Sequence, residues 1–164
     1  MSSIVELAEV LQATSIGTGI AESTVLFPLI EAVHLLGLAV SVGLLLIVDL
    51  RLLGVVLPKV PAATVHHQLR RWIFSGFTVT LVSGILLFLA EAGQVILNYA
   101  FIAHALFVLL GVANAAFFEI RLAPGAPAWK DAVRLPTAAR FAGAASLSAW
   151  FLVLVSGRLI PYLA

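Results

Sequence analysis

Four long apolar segments dominate the pattern of hydrophobic and polar positions along the chain. The first runs from about Leu26 to Leu53, and between Ala32 and Val48 only His34 and Ser41 carry any polarity. The second runs from about Gln68 to Ala90, the third from about Leu97 to Leu122, and the fourth from about Thr137 to Ile160. Prolines punctuate them: Pro58 and Pro61 after the first, Pro124 and Pro127 after the third, Pro136 before and Pro161 after the fourth. Each segment reaches the roughly 20 residues that span a hydrocarbon core. Only helices satisfy their own backbone in single spans of that kind. Short connections then predict an all-α, up-down-up-down four-helix bundle in a membrane.

Ahead of the spans, Ser3-Ile4-Val5-Glu6 has the form of a capping box. Ile4, Val5, Leu7, Ala8 and Leu11 share one broad side. This predicts a short amphipathic helix from Ser3 to about Gln12, lying at the membrane interface. Glu6 and Glu9 stand where the apolar stretch of a signal peptide would begin, which excludes that reading. Gly17 and Gly19 are expected to break the chain before the first span.

Composition sharpens the class. The chain is 62% hydrophobic and 10% charged, against about 25% charged residues in soluble domains. Its 164 residues suit a single transmembrane domain. It has no cysteine and its only methionine is Met1, which excludes disulfides, covalent c-type haem and a thioether copper path. A net charge of +1 excludes a nucleic-acid partner; the expected partner is the lipid bilayer.

The charges set an orientation. Arg51, Lys59, Arg70, Arg71, Arg121, Lys130, Arg134 and Arg140 fall on one side of the bundle and Arg158 alone on the other. Basic residues collect on the cytoplasmic side. Both termini are therefore expected outside, in the periplasm for a bacterial inner-membrane protein.

The two halves of the chain echo one another. His34 is followed by Asp49 and Arg51 at the spacing with which His104 is followed by Glu119 and Arg121, an offset of 70 residues. The same offset of 70 brings Arg70 onto Arg140, while "LVSG" stands at 81–84 and again at 154–157, an offset of 73. This has the form of a parallel duplication of a two-helix unit, related by an axis along the membrane normal.

The duplication gives the histidines a common depth, roughly 11 Å below the outer interface at 1.5 Å per residue. With neighbouring helices about 8–10 Å apart, the first and third spans lie on a diagonal of about 11–14 Å. Two imidazoles across such a gap suit the two faces of a haem iron. A b-type haem is therefore expected on His34 and His104. Arg158 would lie near the propionates and Trp150 near the ring, and Gly37, Gly43, Gly84 and Gly111 would leave room for the macrocycle. The plainer alternative makes His34 a packing group bonded to Ser83 or Ser156 and oriented by Glu31.

Other polar residues have simpler expected roles. His66 and His67 point about 100° apart on a helix and read as solvated interfacial residues. Asp49 with Arg51, and Glu119 with Arg121, read as ion pairs or headgroup anchors. Trp72, Trp129 and Tyr162 fit an aromatic belt, and Asn114 an interhelical hydrogen bond. No phosphate loop, nucleophile elbow or zinc motif occurs. Glu31-x-x-His34 lacks the partners that a carboxylate di-iron site requires.

The stretches "EAVHLLGLAVSVGLLLIVDLRLLG", "SGILLF", "GVAN", "ARFAGAASLSAW" and "GRLI" resemble a family of short bacterial membrane proteins of unknown function. The likeness covers nearly everything from Glu31 onward. It implies four transmembrane helices and a bacterial inner membrane, and it brings no activity. His104 stands where that pattern commonly has a lysine. More distantly, the layout resembles membrane b-type cytochromes and the copper-resistance D family. Two function classes follow. One is a haem b module for electron transfer or redox sensing. The other is a non-redox subunit, a scaffold or small transporter component that self-associates or packs into a larger membrane complex. Gly143, Ala144, Ala145, Ser146 and Ser148 supply small residues for such contact.

Overall fold

The computed structural model describes residues 2–129 and 135–163, and no strand occurs among them. Helix α1 spans Ser2–Gln12, α2 Ser15–Ala21, α3 Leu26–Leu53, α4 Ala62–Val95, α5 Tyr99–Phe117 and α6 Thr137–Leu159. A π-helical turn, Phe118–Leu122, and a 3-10 segment, Ala123–Trp129, follow α5, and a 3-10 turn, Ile160–Tyr162, ends α6. Lys130 and Arg134, two of the eight basic residues expected on one side, lie outside the described residues.

Four helical stretches are long and apolar enough to cross a membrane: Leu26–Leu53, Ala62–Val95, Tyr99–Trp129 and Thr137–Tyr162. Their outward faces are aliphatic. Leu36 and Leu109 are each 67% exposed, an arrangement that water penalises and hydrocarbon does not.

Packing follows chain order. α3 lies along α4 and α5 along α6, while α3 also packs on α6. α4 meets α5 and the turn after it through side chains: Phe88 stacks on Phe101 of α5 at 5.3 Å, and His66 meets Phe118 of the π-helical turn edge-on at 5.2 Å. An apolar core cluster, with Val48, Leu52, Val65, Ile73, Phe118 and Ala142, sits at the end of the helices that carries most of the arginines. α3 stops at Gly54, whose φ of 81° closes the helix in the left-handed conformation that glycine accepts without strain.

The structure departs from the sequence reading at several boundaries. α1 already includes Ser3, so Ser3 lies in its first turn and is not its cap. The glycines at 17 and 19 do not break the chain: Ser15–Ala21 is helical, with the Thr14 hydroxyl accepting the Gly17 N–H at 3.2 Å. Gly17 permits close packing, since a β-carbon there would lie 2.8 Å from the Leu89 carbonyl oxygen of α4. α1 and α2 both pack on α4, and the Gln12 side-chain oxygen accepts the Gly93 N–H at 2.8 Å. α4 is longer at both ends than the expected span, with non-helical backbone angles at Glu91.

Candidate functional site

The two intramembrane histidines are held in equivalent ways. His34 on α3 donates from Nδ1 to the Thr80 carbonyl of α4 at 2.9 Å, with the Ser83 hydroxyl 3.1 Å from the same nitrogen. His104 on α5 donates from Nδ1 to the Val153 carbonyl of α6 at 3.0 Å. Thr80 precedes Gly84 by four residues, as Val153 precedes Gly157. Each ring lies against that glycine: a β-carbon at Gly84 would be 3.0 Å from His34 Cε1, and one at Gly157 would be 2.9 Å from His104 Nδ1.

The backbone oxygens fix the tautomer. A carbonyl only accepts, so both Nδ1 atoms carry the proton and both Nε2 atoms keep a lone pair. No hydrogen bond reaches either Nε2 among the described residues. Metal-binding histidines have this arrangement, with the non-coordinating nitrogen tied to a carbonyl that orients the ring. The Ser83 and Ser156 hydroxyls turn back to their own helices, each 2.6 Å from the carbonyl four residues earlier. Of the two expected partners, Ser83 is therefore the one beside His34.

The equivalence reaches deeper into the bundle. With the 73-residue offset of the even spans, Phe77 corresponds to Trp150. These two rings pack on each other, tilted by 35°, with centroids 4.6 Å apart. An element touching its own counterpart is what an approximate two-fold axis between the halves produces. The pair lies seven residues from Gly84 and Gly157, roughly 10 Å along the helices. Trp150 is thus two turns deeper than the histidines and not beside them. Its Nε1 is buried and has no hydrogen-bond partner among the described residues.

Three of the four glycines expected to leave room for a macrocycle are filled by helix contact. A β-carbon at Gly37 would meet the Thr80 hydroxyl at 2.7 Å, Gly84 faces His34, and Gly111 faces the Trp150 indole at 3.0 Å. Only Gly43 borders open space. Arg158 follows Gly157 on α6; it is exposed, stacks over Tyr162, and donates to the Tyr162 hydroxyl at 2.6 Å.

At the arginine-rich end the pairing differs from expectation. Glu119 does not pair with Arg121. One oxygen lies 2.7 Å from His66 Nε2 and the other accepts from Arg70 Nε at 2.9 Å. His66 is therefore a half-buried partner of Glu119 and not a solvated residue. Arg51 donates to the Val60 carbonyl at 2.6 Å and not to Asp49. Residues two apart on a helix point away from each other, which rules out both expected pairs. Asn114 makes its interhelical bond, donating to the Ala142 carbonyl at 3.0 Å. No group of three or more metal-binding side chains occurs among the described residues.

A model of a family of unknown function (DUF6644) matches residues 5–163. No curated protein and no solved structure matches the chain.

Proposed function

The chain belongs to DUF6644, a membership that carries no activity, and from the geometry we propose that it holds a b-type haem between His34 and His104 for electron transfer or redox sensing. The reading extends to an up-down-up-down bundle in the bacterial inner membrane. α1 lies at the outer interface, and both termini are periplasmic.

One observation carries the reading. Two histidines at corresponding places in the two halves are both fixed as the Nδ1–H tautomer by corresponding carbonyls, leaving both Nε2 atoms free. Haem iron takes a neutral imidazole on each face, so the donor set fits. When bound, the haem supplies one-electron chemistry. The chain's own residues orient the ligand nitrogens, raise their basicity through the carbonyl bonds and keep water away. Arg158, one residue beyond Gly157, supplies a cation for propionates.

The filled glycines favour a second reading, a non-redox membrane subunit in which His34 and His104 clasp helices together. Visible spectra of the purified protein, oxidised and reduced, separate the two. A low-spin haem spectrum at one haem per chain supports the first reading. A colourless protein after expression with excess haem supports the second.

A further inference from the structure

Asp49 has an anomaly that the duplication exposes. It is 4% exposed, within a span, and makes no ion pair among the described residues. Its counterpart in the other half is Glu119, at the 70-residue offset. Glu119 is neutralised from the neighbouring helix by His66 and Arg70. At the 73-residue offset His66 and Arg70 correspond to Ala139 and Gly143. The correspondence holds in space, because a β-carbon at Gly143 would lie 3.1 Å from the Asp49 carbonyl oxygen and 3.6 Å from its Cα. The same contact between halves thus carries a carboxylate with two basic partners in one copy, and in the other alanine and glycine stand at the positions of those partners. Ser146 is the polar neighbour of Asp49.

Beside the unpaired carboxylate the structure is open. A groove of about 360 Å³ runs between α3 and α6, with Asp49 in its lining. Val42 and Leu46 form one wall, and Leu147, Phe151 and Leu154 the other. From Val42 to Asp49 it extends seven residues, roughly 10 Å. Apart from Asp49 the walls are aliphatic and aromatic, so the groove takes an apolar body. The carboxylate at one end selects the head: buried charges need a partner, and the partners present at Glu119 are N–H cations.

We propose that this groove binds an amphiphile with an N–H cationic head, a primary ammonium on an apolar chain, whose head pairs with Asp49. Entering by the groove, the head gives Asp49 the N–H donors that His66 and Arg70 give Glu119. An aminophospholipid and a free lipophilic amine share this chemistry. The site is independent of the histidines and stands whether or not a haem is bound.

Trp150 also lines the groove and is 5% exposed, so it reports on what enters there. The test uses full-length protein with Trp72→Phe and Trp129→Phe, leaving Trp150 as the only fluorophore of its kind, in lipid nanodiscs. Brominated-chain phosphatidylethanolamine and phosphatidylcholine are compared as quenchers at equal mole fraction. Dodecylamine is then set against dodecyltrimethylammonium as a competitor. The expected result is at least twofold stronger quenching by the ethanolamine lipid, lost in Asp49→Leu. Displacement by dodecylamine, and not by its trimethyl analogue, identifies the ammonium as the recognised group. A competing amine without any ethanolamine preference assigns the site to free amines. Equal quenching by both lipids with no competition by either amine, or a preference that survives Asp49→Leu, overturns the proposal. Leu147→Phe narrows the groove while leaving the carboxylate in place and Trp150 as the reporter. It should weaken the preference too.

Discussion

The ring of His104 rests on Gly157 so closely that one added methyl group, 2.9 Å from Nδ1, would displace it. The same relation joins His34 to Gly84. In each half a glycine on the even-numbered helix lets an imidazole approach the backbone, and the carbonyl one turn earlier accepts its Nδ1–H. The glycines therefore set the direction in which each Nε2 points.

Alanine at either glycine should destabilise the protein. Overpacking a tight contact costs about 1–3 kcal/mol, offset by up to about 1 kcal/mol of improved helix propensity. Gly84→Ala and Gly157→Ala should both lower the unfolding temperature in detergent. Gly43→Ala, which meets no atom within 4 Å, should leave it unchanged or raise it. A fall with Gly43→Ala equal to that of the other two would remove the clasp as the cause.

Ligation makes its own prediction. In a haem-loaded protein, His34→Ala and His104→Ala should each turn a low-spin spectrum high-spin or release the haem. Arg158→Ala should keep the low-spin spectrum and lower the reduction potential, because a nearby cation favours the less positive iron. A low-spin spectrum that survives both histidine substitutions would end the bis-histidine model.

Much of this site was legible in the chain, and the failures have physical causes. His34, His104 and the two "LVSG" stretches announced the duplication by spacing alone. Spacing did not reveal that the glycine of each stretch meets the histidine of its own half, because that depends on helix rotation. The glycines misled for a related reason: a missing side chain marks close approach, and sequence does not tell whether a neighbour or a ligand fills it. Glu119 was matched to Arg121 by nearness in the chain, whereas His66 and Arg70 reach it from another helix. The second N-terminal helix was missed because Gly17 and Gly19 weigh against helix locally, while packing on α4 overrides that preference.

The Glu119 pairing gives a modest energetic prediction. Its oxygens are partly accessible and Arg70 is half-exposed, so coupling should fall at about 0.2–1 kcal/mol. A double-mutant cycle on His66→Ala and Glu119→Ala should return a favourable term of that size. The cycle on Arg121→Ala and Glu119→Ala should return none. The opposite ranking would restore the pairing expected from sequence.

Asn114→Ala should cost about 0.6 kcal/mol, the average for hydrogen bonds between membrane helices, and no more than about 1.7 kcal/mol. The substitution removes the donor to the Ala142 carbonyl and leaves that oxygen its helical bond. Equilibrium unfolding in mixed micelles measures it, with Asn114→Asp as a comparison that keeps the volume and exchanges the donor for an acceptor. Asn114→Asp should be the more damaging, since it sets two acceptors against each other.

Orientation can be read chemically because the chain has no cysteine of its own. Among the described residues, Arg51, Lys59, Arg70, Arg71, Arg121 and Arg140 group at one end of the helices and only Arg158 at the other, a bias that normally marks the cytoplasmic side. Ser3 is exposed on α1, and Ala128 is exposed in the segment after α5, at the basic end. Ala126 is buried against that segment's neighbours and would label poorly. In intact cells a membrane-impermeant maleimide should therefore modify Ser3→Cys, while Ala128→Cys should react only once the membrane is breached. Labelling in the reverse order would invert the bundle. It would place the histidines in the inner half of the membrane and Arg158 in the cytoplasm, leaving the clasps and their free nitrogens untouched.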